Sequence, residues 1–211
     1  MDAVTPWYVP VARSVPALAL ALTVTFSADH STTFGYVTFG IFAVISGAIL
    51  TAAGLRAGAR GIDRTLTLAQ GLVTVAAGIV ALAVPGGGLP FFVFVVTTFA
   101  AITGFIELYL GLRGRRRLRG AGDRVFIGAL TAVLAVVVLL VPPDFVQRFT
   151  GPDDVERALT ASIIIVGVLG AYWAIIGVYF VIAGLSLKWA PALPAVAMPE
   201  RAVPEKATEE T

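Results

Sequence analysis

Between Arg64 and Glu107 lie 42 consecutive uncharged residues, interrupted only by the turn-forming run Pro85-Gly-Gly-Gly-Leu-Pro90. About 20 mostly apolar residues are needed to cross the hydrocarbon core of a bilayer, so this stretch predicts two spanning helices joined by a tight turn. The same criterion predicts spans at Trp7 to Phe26 and Thr33 to Leu55, around a short loop at Ser27 to Thr32. It predicts two more at Val125 to Val141 and Leu159 to Leu187, around a longer loop. A soluble domain carries about a quarter charged residues; this chain of 211 residues has 13% charged and 58% hydrophobic. The expected fold class is all-α, an integral membrane bundle of six transmembrane helices.

Internal repetition organises those spans. A shift of 57 residues carries Gly47, Gly54, Leu55 and Arg56 onto Gly104, Gly111, Leu112 and Arg113, and carries Ser14 onto Gly71 and then Gly128. For the last helix the shift is 73, taking Gly104 to Gly177 and Gly111 to Gly184, with the extra residues near Asp144 to Arg157. Three tandem two-helix hairpins follow, at about residues 7–56, 65–113 and 125–188, within a membrane domain of residues 1–188. A repeat of two helices returns the chain to the same side each time, so the copies are parallel about an axis along the membrane normal. Residues 189–211, rich in Pro, Ala and Glu without apolar periodicity, are expected to form a disordered cytoplasmic tail.

The first span could pass for a signal peptide, with Arg13 ahead of an apolar run and small residues at Ser27-Ala28. Its register with the later copies identifies it instead as the first half of a repeat. Orientation follows from basic residues near span ends. Thirteen lie on the side of the N-terminus, among them Arg13, Arg56, Arg64, Arg113 and Lys188, whereas the other side has only Arg148 and Arg157. Both termini are therefore expected in the cytoplasm.

In lipid, helices associate through close packing of small residues. Gly47 and Gly54, Gly104 and Gly111, and Gly177 and Gly184 stand seven residues apart, a spacing that keeps one packing seam facing a partner helix. Within this scaffold Glu107 is the one acid inside an expected span, and its counterparts in the other copies are Leu50 and Phe180. An ionisable group inside a membrane is a functional candidate with a partner to be named. Arg13, at the same end of the bundle, is the partner named here, with Arg113 as an alternative and water at the interface as a third. His30 beside Asp29 is a weaker candidate for sensing acid.

Several chemistries drop out. Cysteine is absent and His30 is the single histidine, which removes disulfides, thiolate sites and multi-histidine metal sites. The spans contain no Ser/His/Asp set and no carboxylate pair, so neither catalysis nor a cofactor or metal is expected. The basic cluster Arg113, Arg115, Arg116, Arg117 and Arg119 directly follows a span, which favours contact with anionic lipid over nucleic acid.

Hairpins that turn at Val84-Pro85 or Val141-Pro142 and close on a glycine-containing helix ending Gly-Leu-Arg resemble the HdeD family, over about residues 7–188. That resemblance implies a bacterial six-helix membrane protein, non-enzymatic, with a role in acid or membrane stress tolerance. Repeat 1 departs from the pattern, with Ala28 in place of the turn proline, and the third copy departs through its long acidic loop with Asp144, Asp153, Asp154 and Glu156. Two other functions fit the residues: a small transporter or channel that uses Glu107, and an accessory subunit that docks a membrane protein partner, or a second copy of itself, through a glycine seam.

Overall fold

A computed structural model describes residues 6–56, 61–115, 120–150 and 156–189. The expected tail from residue 190 onward lies outside the described residues, as do Arg116, Arg117, Arg119, Asp153 and Asp154. Six helices are each long and apolar enough to cross a membrane: α1 (Tyr8–Phe26), α2 (Thr32–Arg56), α3 (Ile62–Ala83), α4 (Gly88–Gly114), α5 (Ala121–Leu140) and α6 (Ala161–Lys188). The protein is a multi-pass helical membrane bundle. Its two ends are named here the terminal end, where α1 starts and α6 stops, and the loop end, where α1 turns into α2 and α3 into α4.

Local chemistry sets the helix boundaries. Proline at 85 follows the end of α3, and Gly88, at φ 77°, begins α4 in a conformation that only glycine adopts readily. At the start of α2, Ser31 Oγ accepts from the Phe34 amide at 3.2 Å. Helix α5 begins four residues before the expected Val125 and so takes in Asp123 and Arg124. Gly120 at φ 80° starts the helix, and Asp123 in its first turn complements the positive end of the helix dipole.

Among the described residues, one feature departs from an all-α chain. The loop between α5 and α6 carries an antiparallel ribbon of β1 (Val146–Thr150) and β2 (Glu156–Thr160), in register from Val146 opposite Thr160 to Thr150 opposite Glu156. Val146, Phe149, Thr150 and Thr160 favour extended backbone, and the ribbon is anchored to the bundle where the Ala161 amide donates to the Phe145 carbonyl at 2.9 Å. The pairing of Leu159 and Thr160 is why α6 starts at Ala161 and not at Leu159.

The closest helix pairs are α2 with α3, α4 with α5, and α6 with α1. Each is joined through glycines. A Cβ added at Gly47 would lie 2.7 Å from the Val75 amide nitrogen and 2.8 Å from the Gly71 carbonyl oxygen. One at Gly104 would lie 3.0 Å from the Ala132 nitrogen and 3.1 Å from the Gly128 oxygen. Gly54 faces Leu68, Gly111 faces Val125, Gly177 faces Leu18 and Gly184 faces Val11. At the first two contacts backbone meets backbone, so a side chain at Gly47 would clash outright and one at Gly104 would pack tighter than ordinary contact.

The bundle's centre toward the loop end is aromatic. Tyr36 lies 4.7 Å from Phe92, Phe39 lies 5.2 Å from Phe99, and Phe42 lies 5.3 Å from Trp173, measured between ring centroids. The Tyr36 hydroxyl, carried into this apolar region, donates to the Gly88 carbonyl at 2.9 Å and so is satisfied.

Gly47→Leu and Gly104→Leu are each expected to force their helix pair apart, at a cost of about 1–3 kcal/mol or more for overpacking. Thermal unfolding in detergent and size-exclusion elution measure this. Wild-type behaviour of both variants would show that the pairs do not depend on the close approach.

Candidate functional site

Arg13 on α1 comes from the second turn of its helix, and Glu107 on α4 sits seven residues before that helix ends, about 10 Å inside the terminal end at 1.5 Å per residue. The antiparallel packing of α1 on α6 and of α4 on α5 brings the two to the same level. Arg13 Nη1 lies 3.6 Å from Glu107 Oε1, with the carboxylate side chain 5% exposed and the guanidinium 14% exposed. The alternative partner Arg113 points elsewhere: its Nε is 3.6 Å from Asp63 and its Nη1 donates to the Tyr109 hydroxyl at 3.2 Å. That second pair is half exposed on both sides and belongs to the class of surface ion pairs that contribute little.

A second arginine completes the cluster. Arg124 Nη1 on α5 lies 4.0 Å from Glu107 Oε2. Arg124 is one of the thirteen basic residues on the side of the N-terminus and stands directly before the expected start of the span at Val125. Its inclusion in the first turn of α5 points it into the bundle end. The Arg13 guanidinium also stands 4.4 Å from the centroid of the Phe180 ring on α6, a distance at which the ring's negative face attracts a cation. Phe180 is the residue that corresponds to Glu107 under the 73-residue shift, so α4 and α6 approach Arg13 with the same position, one bearing a charge and the other a π face.

Other buried polar side chains lie deeper in the bundle, toward the middles of the helices. Thr131 on α5 donates to the Ile127 carbonyl at 2.8 Å and so accepts from the Tyr172 hydroxyl on α6 at 3.0 Å. Thr74 and Thr103 return their hydroxyls to their own helices, at the carbonyls of Gln70 and Phe99, both at 2.7 Å. Ser46 Oγ and Gln70 Oε1 are buried without a hydrogen-bond partner. Gln70 corresponds to Arg13 under the 57-residue shift, so a polar but uncharged residue takes that position in the second copy.

The other sequence candidates stay apart from the cluster. His30 lies in the loop between α1 and α2, its ring 6.5 Å from that of Phe34. Its neighbour Asp29 accepts from the Ser31 amide at 2.8 Å, and that hydrogen bond holds the Asp29 carboxyl below the ordinary aspartate value. The glycines at 47, 54, 104, 111, 177 and 184 occupy the helix contacts described above. They form the frame on which Arg13 and Glu107 meet.

Chemically, the cluster is two guanidinium groups facing one carboxylate in a region of low dielectric. Neither contact reaches the roughly 2.7–2.9 Å of a charge-assisted hydrogen bond, and Arg13 Nε and Glu107 Oε2 are both buried without a hydrogen-bond partner. Burying such charges costs more than it returns unless geometry is close.

Arg13→Leu and Glu107→Leu are each expected to destabilise the protein by about 3–5 kcal/mol, since each strands a buried charge. The double variant should recover much of that loss, leaving Arg124 free to reach water. Unfolding in detergent across the double-mutant cycle measures the coupling; strictly additive losses would show that the two residues do not interact.

Comparison with known proteins gave no matching family model, and no curated protein and no solved structure matched.

Proposed function

We propose that the chain is a non-enzymatic, HdeD-like protein of the bacterial cytoplasmic membrane, built from three tandem two-helix repeats, and that it serves acid or membrane stress tolerance. Both termini face the cytoplasm, and Arg113, Arg115, Arg116, Arg117 and Arg119 meet the anionic headgroups of that leaflet. Support for the repeat comes from corresponding contacts: Gly47 on Gly71 and Gly104 on Gly128, positions that differ by 57 in both members of the pair. The observation that carries a functional role is Glu107, buried at 4% exposure between two arginines. A carboxylate at a position where Leu50 and Phe180 serve packing elsewhere is a cost to the scaffold, and such costs inside a membrane mark function.

A deletion strain should survive acid challenge less well than its parent. Wild-type protein should restore survival and Glu107→Leu should not, at equal membrane abundance. Equal survival of parent and deletion strain would remove the stress reading.

A second reading is a small transporter or channel in which Glu107 is the polar element of a path. It is favoured by buried polar residues deeper in the bundle than Glu107, with Thr103 one helical turn farther along α4 and Thr74 and Thr131 near the middles of α3 and α5. Proton or solute flux in liposomes that Glu107→Gln abolishes is the expected result of this reading, and absence of flux from wild-type protein overturns it.

A further inference from the structure

We propose that Arg13 and Arg124 form a binding site for one small oxyanion, in which Glu107 serves as a tethered stand-in that the guest displaces or joins. Three observations converge on this. The cluster is unbalanced, because two guanidinium charges face a single carboxylate and leave one excess positive charge inside the bundle end. It is also unfinished: the nearest approaches are 3.6 Å and 4.0 Å, and Arg13 Nε and Glu107 Oε2 have no hydrogen-bond partner although both are buried. Guanidinium forks whose donors point at a shared carboxylate without closing on it are left with hydrogen-bonding capacity that an oxyanion uses in pairs. Lastly, it reaches the surface on one side, since the Arg124 side chain is 30% exposed whereas Glu107 is 5% exposed.

The surrounding elements suit an anion and not a cation. Phe180 on α6 offers its ring to Arg13 and holds that guanidinium in place without consuming its donors. Glu107 is the only acid inside α4, α1 and α6 contain none, and the acid of α5, Asp123, is engaged by the Tyr179 hydroxyl at 2.8 Å. Charge balance then sets the stoichiometry. A monoanion neutralises the cluster. The same chemistry describes free inorganic phosphate and the phosphate of a lipid headgroup in the adjoining leaflet. The inference is independent of the stress reading, because it concerns what the cluster binds and not what the cell uses it for.

The test uses the full chain in nanodiscs of purely zwitterionic lipid, titrated with inorganic phosphate at constant ionic strength and read by calorimetry. Wild-type protein is expected to bind in the millimolar range and Glu107→Gln to bind more tightly by about tenfold or more, the worth of one charge-assisted contact no longer contested. Arg124→Gln should lose binding by a similar factor and Arg124→Lys should regain part of it. Because Arg124 is the more exposed arginine, its variants keep the test open if Glu107→Gln does not fold. Nanodiscs containing phosphatidic acid, with bound lipid counted by native mass spectrometry, form the second arm. Lipid retention that rises in Glu107→Gln and falls in Arg124→Gln, without phosphate binding, assigns the oxyanion to a headgroup. Binding of neither probe, or equal binding by wild type, Glu107→Gln and Arg124→Gln, overturns the proposal.

Discussion

Close backbone contact between helices is the constraint on which the rest of this bundle depends. In lipid an apolar helix face gains little by leaving the hydrocarbon for another apolar face, so stability has to come from contact density that lipid chains cannot match. Glycine provides it by removing the side chain that would hold two helices apart. Where Gly47 meets Gly71, and Gly104 meets Gly128, amide and carbonyl groups of the two helices come within the reach of a single missing Cβ. Those contacts fix the rotation of each helix about its axis. That rotation in turn aims the position held by Leu50, Glu107 and Phe180 inward, so the charge at 107 is a passenger on packing geometry set elsewhere.

The membrane spans could be read from charge-free runs because a bilayer imposes length and polarity on every helix, and boundaries came within a few residues. What the sequence could not convey followed from interactions that composition does not encode. The start of α5 moved to Ala121 since a left-handed glycine and an acid in the first turn outweigh the polarity of Asp123 and Arg124, and this shift alone made Arg124 a member of the site. The β1–β2 ribbon was missed because alternation over five residues with no buried face leaves no pattern to detect. The meeting of Arg13 with Glu107 was legible as a matter of depth, both lying near the same end. The competing pair of Arg113 with Asp63 was not, since it depends on which way α4 faces α3 at its end.

The three close helix pairs are not equivalent, and the difference explains where the charges sit. In α2 with α3 and α4 with α5, glycine opposes glycine and backbones touch. In α6 with α1 the glycines of α6 meet branched residues and not glycines: Gly170 faces Val24, Gly177 faces Leu18, and Gly184 faces Val11 beside the Trp7 carbonyl at 3.0 Å. Helix α1 has Ser14 and Ala21 where α3 has Gly71 and Gly78, so the first and last helices of the chain close the bundle without glycine opposing glycine. Arg13 is adjacent to Ser14 on that helix. It reaches across to Glu107 on α4 and lies over Phe180 on α6, adding a polar tie at the junction that lacks glycine-on-glycine contact. A tie made of charges, unlike one made of backbone contact, responds to protons, ions and headgroups. The place where the bundle closes is therefore also the place where its environment can act on it.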